Sequence, residues 1–192
     1  MINLEECEKR EDSELVNLSL ENQEYFYCII SRYEKAILYY IRRISSLSKE
    51  DAEDILQDVF ISVYENLNEF DKSLKFSSWI YRIAHNKTIS AWRKTRSRPQ
   101  SISTDENIDL FNLIASKEDI IGDLEKKINA DELRVVLDGM DKKYREVLVL
   151  KFLEDKDYKE ISDILKKPMG TVATLINRAK QRLKIELIKN VH

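Results

Sequence analysis

The sequence predicts an all-α fold made of two small helical domains that are joined by a flexible acidic linker. Glycine and proline are scarce, with 3 and 2 copies in 192 residues, whereas sheet proteins need many turns that these residues supply. Hydrophobic residues make up 43% of the chain, which is enough for a packed core. Apolar side chains recur at helical spacing in both halves of the chain, and the stretch between them has no such period.

The first half of the chain is predicted to hold three helices behind an acidic start. Residues 1–20 are acidic and only weakly periodic, so we expect a mobile N-terminus. The predicted helices cover residues 22–44, 48–67 and 77–95. Ser48 and Asp51 have the spacing of a capping box at the start of the second helix. Together the three helices predict a first domain over residues 21–98.

A linker and a second helical domain are predicted beyond residue 98. Residues 99–125 contain serine, asparagine, acids and a proline without a sustained period, which is typical of a linker. The second domain covers residues 126–192. Helices are predicted at residues 124–138, 141–152, 157–165 and 169–189. The short break "KKPMG" between the last two helices predicts a helix-turn-helix, and Pro168 suits a helix start because it has no N–H to satisfy there.

The net charge of −3 hides a strong segregation of charge along the chain. Residues 1–98 carry −2, residues 99–125 carry −6 and residues 126–192 carry +5. Binding to nucleic acid depends on local electrostatic fields rather than on the charge of the whole chain. The acidic isoelectric point of 5.6 therefore does not exclude a nucleic-acid partner.

Several functional classes find no support in the sequence. Cys7 and Cys28 match no metal or redox spacing, so we expect reduced thiols in a cytoplasmic protein. Two histidines, His85 and His192, cannot build a metal site by themselves, and no phosphate loop or catalytic set of side chains is present. The charged start differs from a signal peptide, and no run is long enough to span a membrane. We therefore expect no enzyme activity, no cofactor and no membrane insertion.

A basic and aromatic segment, residues 72–104, contains no acidic residue. Its bases are Lys72, Lys75, Arg82, Lys87, Arg93, Lys94, Arg96 and Arg98, and its interleaved rings are Phe76, Trp79, Tyr81 and Trp92. Basic groups can follow phosphates, and flat rings can stack on unpaired bases. Each ring considered by itself could instead be packed in the hydrophobic core. For the segment as a whole the pattern favours nucleic acid.

The predicted helix over residues 48–67 is acidic on its outer face. The polar residues of this face are Asp51, Asp54, Gln57, Asp58 and Glu65. Acids near the start suit the helix dipole, so a solvated face explains them. That is the default interpretation, and a surface that docks on another protein is the alternative. The face is not expected to contact DNA, because it would repel phosphates.

The second helix of the predicted helix-turn-helix has an outward face that suits DNA. Val172, Ile176, Ala179 and Leu183 form its predicted buried stripe. The outward residues are Thr171, Thr174, Asn177, Arg178 and Gln181. These residue types can reach base edges and phosphates in a major groove. Taken alone, the pattern also fits a small helical hairpin with a solvated basic face.

Three stretches resemble, in order and spacing, the bacterial sigma-70 family factors of the small extracytoplasmic-function (ECF) type. "DAEDILQDVFISVYENLNEFD" resembles the segment that binds core RNA polymerase. "FSSWIYRIAHNKTISAWRK" resembles the segment that melts and reads the −10 element. "YREVLVLKFLEDKDYKEISDILKKPMGTVATLINRAKQRL" resembles the −35-binding domain. The resemblance covers about residues 22–95 and 124–187, and it implies region 2 over residues 21–98 and region 4 over residues 126–192.

The resemblance also implies partners and site residues. Asp54, Gln57 and Asp58 should dock on the coiled-coil clamp helices of core polymerase. Loop 68–76 should hold a base flipped out of the −10 element. The residues implied for the −10 element are Asn68, Phe70, Lys75, Phe76, Trp79, Arg82, Asn86 and Lys87. Those implied for the −35 element are Thr171, Ala173, Thr174, Asn177, Arg178 and Gln181. The acidic linker should pass through the RNA exit path of the polymerase. When the protein is not bound to polymerase, an anti-sigma factor should bind it, and without any partner it should be a monomer.

The predicted reading helix departs from the family pattern in one place. After "GTV" the family commonly has a basic residue, then serine or threonine, then a second basic residue. This chain has Ala173, Thr174 and Leu175 instead. We therefore expect apolar contact by Ala173, polar contact by Thr171, Thr174 and Asn177, and weaker electrostatic binding by this domain alone.

A stand-alone helix-turn-helix regulator that binds duplex operators as a dimer is the rival hypothesis. It explains residues 157–184. It leaves the acid-free aromatic segment and the acidic outer face without a function.

Overall fold

The computed structural model describes residues 4–45, 47–95 and 130–190, and within these ranges the secondary structure is entirely helical. The whole of the predicted linker, residues 99–125, lies outside them, and so does the path predicted for it. The chain divides into two compact units. The helices up to Thr95 belong to the first, and the helices from Ala130 onward belong to the second, apart from Asp163–Leu165, which group with the first.

The N-terminal unit contains five α-helices. They are α1 (Leu4–Lys9), α2 (Asp12–Glu21), α3 (Phe26–Ile44), α4 (Lys49–Glu65) and α5 (Phe76–Thr95), with 3-10 turns at Gln23–Tyr25 and Leu67–Glu69. Helices α3, α4 and α5 pack on one another, and their apolar stripes form the core. The innermost side chains include Ile37, Tyr40, Ile41, Ala52, Val59, Val63, Ile80 and Ala84. The buried residues of α4 are Ala52, Ile55, Leu56, Val59, Phe60 and Val63, which form the single apolar stripe that their helical spacing predicts.

The start of the chain differs from the mobile N-terminus that the sequence predicts. Leu15 and Val16 of α2 are buried. Arg32 of α3 holds the segment, with Nη1 2.6 Å from Oδ1 of Asp12 and Nη2 donating to the carbonyls of Cys7 at 2.5 Å and Arg10 at 2.6 Å. Two short helices show too few turns for a clear period, and the group that holds them lies about 20 residues further along the chain.

A disulfide joins Cys7 of α1 to Cys28 of α3, where the sequence predicts reduced thiols. Both residues are buried. Their separation of 21 residues matches no redox motif, because the fold and not the local sequence brings them together.

Loss of this disulfide is expected to loosen the start of the chain. Cys28→Ser should lower the free energy of unfolding of the N-terminal unit by about 3 kcal/mol, because a crosslink across a loop of this length reduces the entropy of the unfolded chain. Urea unfolding with and without dithiothreitol measures the effect. Cys7→Ser is the matched variant and should lose the same amount, with no further loss in the double variant. The prediction would be contradicted if the unchanged protein had the same unfolding midpoint with and without dithiothreitol.

Over its described residues, 130–190, the C-terminal unit contains four α-helices. They are α6 (Ala130–Gly139), α7 (Lys142–Leu148), α8 (Tyr158–Leu165) and α9 (Met169–Asn190), and α7 continues into a π-helical turn at Val149–Leu153. α9 packs on α7 and α6. Its buried stripe is Val172, Ile176, Ala179, Leu183 and Leu187. The four residues predicted for this stripe are confirmed.

Local signals define the turn between α8 and α9. A capping box begins α8, in which the amide of Glu160 donates to Oδ1 of Asp157 at 2.7 Å and the amide of Asp157 donates to Oε2 of Glu160 at 3.0 Å. α8 ends at Lys166, which adopts the left-handed conformation with φ of 52°. The carbonyl of Pro168 accepts from the amides of Thr171 at 2.9 Å and Val172 at 3.0 Å, so α9 begins where the proline predicts.

Two charged side chains of α7, Arg145 and Glu146, are buried. Nη1 of Arg145 lies 3.1 Å from Oδ1 of Asp138, which ties α7 to α6. Oε1 of Glu146 lies 3.7 Å from Nζ of Lys142. Burial raises the pKa of the Glu146 carboxyl, and the nearby charges of Lys142 and Lys167 only partly oppose this rise.

The raised pKa of Glu146 makes the stability of the C-terminal unit depend on pH. Because the folded pKa lies above the unfolded one, the stabilising contribution is complete below the unfolded pKa and is lost as pH rises through the folded pKa. Glu146→Gln should remove this loss and stabilise the unit at neutral pH, since an amide carries no charge to desolvate. Hydrogen exchange of the α7 and α9 amides, followed from about pH 4, below the ordinary pKa of a glutamate, to about pH 8, measures this loss. The exposed Glu186→Gln is the control. If the stability gained through Glu146→Gln were the same at every pH in this range, the prediction would be contradicted.

Candidate functional site

The outer face of α4 is acidic at one end and apolar at the other. Ser48 caps the helix by accepting from the amide of Asp51 at 3.1 Å. Asp54, Gln57 and Asp58 are exposed, opposite the buried stripe, and no hydrogen bond or ion pair engages them within the described ranges. The face continues at helical spacing with two exposed apolar side chains, Ile61 and Tyr64. Sequence reasoning missed this apolar end, although its spacing of seven and ten residues from Asp54 was visible.

Three of the rings predicted to meet DNA form a packed cluster at the end of α4 and the start of α5. The ring centroids of Phe70 and Phe76 lie 5.4 Å apart, and that of Trp79 lies 5.3 Å from Phe70 and 5.6 Å from Phe76. Tyr33 of α3 adds a fourth ring, 5.7 Å from Phe76. All four side chains are buried, with Trp79 8% exposed. The cluster is thus a structural base for the loop above it.

The loop over residues 68–76 is held in shape by a turn at Asp71. The amide of Ser73 donates to Oδ1 of Asp71 at 2.9 Å, and the amide of Leu74 donates to its carbonyl at 3.0 Å. The bonds from Ser73 favour the carboxylate and lower the pKa of Asp71. Lys72 donates to Oδ1 of Asn17 at 2.7 Å, which joins the loop to α2.

A cavity of about 350 Å³ lies between this loop and α2. Phe70, Phe76, Lys72 and Lys75 line it from the loop side and the start of α5. The other wall, from α2, is made of Glu11, Asp12, Ser13 and Val16. Sequence reasoning missed this second wall, because weak periodicity made the start of the chain look mobile. Its loop wall combines apolar faces with lysines, which suits an unpaired base and its phosphate, whereas Glu11 and Asp12 make the opposite wall acidic and unsuited to a phosphate.

The remaining residues predicted for the −10 element lie on α5 and at the loop. Asn68, Lys75 and Asn86 are exposed, whereas Arg82 and Lys87 are half-buried. Tyr81, one of the interleaved rings, is buried and packs against Tyr40, with centroids 5.0 Å apart and the ring planes inclined at 53°. The accessible part of this surface is therefore formed by polar and basic groups of α5 together with the half-buried ring of Trp92.

The start of α9 presents the outward face that the sequence predicts. Its exposed members are Thr171, Thr174, Asn177, Arg178 and Gln181, and Ala173 is half-buried. Met169, which the sequence analysis did not select, is 55% exposed. Lys180 and Arg182 lie over the rings of Phe152 and Tyr144, at 5.4 and 4.9 Å from the centroids.

Comparison with known proteins places these surfaces in one family. Residues 29–98 match Sigma-70 region 2, and residues 130–183 match Sigma-70, region 4. The ECF RNA polymerase sigma factor SigW of Bacillus subtilis is 33% identical over 173 residues, which cover 86% of this chain and 90% of SigW. The chain belongs to the ECF group of the sigma-70 family of RNA polymerase sigma factors.

Other relatives of this sigma factor agree with the assignment. The ECF RNA polymerase sigma-E factor of Escherichia coli K12 is 28% identical over 170 residues, covering 84% of this chain and 86% of that factor. The solved structure of CnrH in complex with the cytosolic domain of CnrY has a TM-score of 0.69 at 23% identity and covers 93% of this chain and 97% of CnrH. At that identity the likeness shows the fold alone.

The region 2 match of this sigma factor contains α4, the loop and α5, and the region 4 match contains α8 and most of α9. None of the helices in the described ranges has the length and apolar character of a membrane span. In the same ranges, histidine, cysteine and acidic side chains form no group that could hold a metal ion.

Proposed function

We propose that this sigma factor binds core RNA polymerase through the outer face of α4, captures the melted −10 element at the α5 surface, and reads the −35 duplex with α9. It has no catalytic step of its own in this role and acts in the cytoplasm. The observation that carries the proposal is the pairing, on one small unit, of the exposed Asp54, Gln57 and Asp58 on α4 with an acid-free helix, α5, beside a cavity of about 350 Å³. A stand-alone operator binder needs neither surface.

The α4 face suits a protein partner. Its carboxylates repel phosphates but complement a basic surface, and Ile61 and Tyr64 add apolar area of the kind that protein interfaces bury. Asp54, Gln57 and Asp58 are proposed to contact the clamp helices.

The cavity and α5 suit single-stranded DNA. Removing a base from the stack costs a few kcal/mol, which a fitted pocket and phosphate contacts can offset. Lys75, Arg82, Asn86 and Lys87 are proposed to contact the melted strand or its backbone, together with Asn68 in the loop. The buried rings of Phe70, Phe76 and Trp79 are proposed to shape the pocket.

An anti-sigma factor is a further proposed partner. Two similar solved structures are complexes, one of CnrH with the cytosolic domain of CnrY and one of the sigma factor RpoE with the anti-sigma factor NepR from Bartonella quintana. Affinity capture of this sigma factor from its own cells, with and without cross-linking, tests for such a partner.

The decisive experiment is transcription by purified core polymerase with and without this protein, on a library of random promoter sequences. We expect transcripts that start from a shared −35 and −10 pattern only when the protein is present. Tight operator binding without any binding to core polymerase would overturn the proposal and support the stand-alone regulator.

A further inference from the structure

The reading end of α9 carries no charge. Residues 169–177 contain neither an acid nor a base, and Arg178 is the first charged side chain of the helix. Among the accessible residues before it, Met169, Thr171, Ala173 and Thr174 each carry a methyl group, whereas Asn177 carries an amide. The commonest specific contact to guanine, a bidentate arginine or lysine, is therefore absent from this end of the helix.

The hydroxyl group of Thr174 is already engaged. It donates to the carbonyl of Gly170 at 2.8 Å, one turn earlier in the same helix. A threonine hydroxyl has a single proton, so this bond leaves none for a base acceptor. The hydroxyl oxygen can still accept from the amino group of adenine or cytosine, but it cannot donate to thymine or guanine. The methyl group of Thr174 is free to make an apolar contact beside the polar one that the sequence predicts.

The bases of α9 lie beyond this end. Lys180 and Arg182 are over the rings of Phe152 and Tyr144, and Arg178 is exposed. Electrostatic attachment to phosphates can therefore come from Arg178 onward, separate in position from the reading end. Asn177, one turn beyond Ala173 and Thr174, suits adenine, which it can bind through N6 and N7.

We infer that this sigma factor reads A·T pairs in its −35 element through thymine methyl groups, with Thr174 and Ala173 as the contacting side chains. In the major groove thymine differs from cytosine by its C5-methyl group, which an apolar contact can recognise without any hydrogen bond. This inference rests on the proposed function, because it names the sequence class that the proposed −35 reader takes.

Replacing single thymines of the −35 element by deoxyuridine tests the inference, because it removes only the methyl group. The probe is the promoter selected from the random library, bound by polymerase reconstituted with this protein and followed by fluorescence anisotropy. At one or two positions the affinity should fall roughly fourfold, the change expected for one buried methyl group. At all other thymines it should stay the same.

Thr174→Ser is the matched variant, since serine keeps the hydroxyl bond to Gly170 and loses only the methyl group. It should weaken binding to the thymine promoter by a similar factor and have no further effect on the deoxyuridine promoter at the contacted position. Arg178→Gln is the control, and it should weaken both promoters equally and lower the salt dependence.

Two outcomes overturn the inference. One is a promoter that is transcribed but whose affinity for the polymerase is unchanged by every deoxyuridine replacement. The other is losses from Thr174→Ser and deoxyuridine that simply multiply, since independent losses mean that the two methyl groups do not touch. Both leave the proposed function intact. If the library yields no promoter at all, the proposed function is wrong, and this inference, which rests on it, is wrong as well.

Discussion

Trp79→Ala is expected to destabilise the N-terminal unit by about 3–5 kcal/mol, because it removes a large ring from a packed core. Trp79 is 8% exposed and lies within 5.6 Å, centroid to centroid, of both Phe70 and Phe76. Its loss leaves a hole beneath the loop that walls the cavity. Urea unfolding, monitored by circular dichroism, measures the change.

Trp79→Ala should also impair function, because the loop above the vacated space loses its support. Formation of the open promoter complex should be lost, whereas binding of the −35 duplex by the C-terminal unit should remain. Trp92→Ala, at a half-buried position near the end of the same helix, is the control and should cost clearly less stability. If Trp79→Ala instead unfolds like the unchanged protein but still fails to open promoters, the ring contacts the DNA directly and does not merely support the loop.

Local patterns in the sequence were sufficient for the parts of the fold that depend on local interactions. The stripe of α4, the turn before α9 and the stripe of α9 all follow from side-chain spacing and caps within a few residues. The outward residues Thr171, Thr174 and Asn177 were predicted for the same reason. These features needed no knowledge of what packs against them.

Features that depend on distant partners could not be predicted in this way. The start of the chain folds because Arg32 and Cys28 hold it, and neither residue shows in the pattern of α1 or α2. The rings of the acid-free segment posed a related problem, because a ring that stacks on a base and a ring that packs in a core look alike in sequence. Only the structure shows that Phe76 and Trp79 are buried.

The cavity combines both kinds of feature. Its loop wall lies in a segment that the resemblance assigns to the −10 element, and its α2 wall exists only because the start of the chain is held in place. The disulfide and Arg32 therefore matter beyond stability, since they position Glu11 and Ser13 at the rim of the cavity. This link between the two halves of the unit follows from tertiary structure alone.

Asp54→Arg is expected to weaken binding to core polymerase by about 100-fold or more, because it places a cation in the middle of an acidic docking face. The fold should be unaffected. Asp54 is exposed and has no partner within the described ranges, and surface substitutions of this kind usually change stability by no more than about 0.5 kcal/mol. Anisotropy of a labelled protein titrated with core polymerase measures the affinity, and circular dichroism checks the fold.

The matched control for Asp54→Arg is Glu34→Arg, which makes the same charge change at an exposed position of α3. Both variants alter the net charge equally, so any general electrostatic effect on binding is common to them. The difference between their affinities for core polymerase therefore reports only where on the surface the charge was changed. Ile61→Ala adds an independent test, since loss of the apolar end should weaken binding at high salt as well as at low salt. Equal affinities for Asp54→Arg and Glu34→Arg would show that α4 is not the docking helix, and the solvated-face interpretation of its carboxylates would then be the correct one.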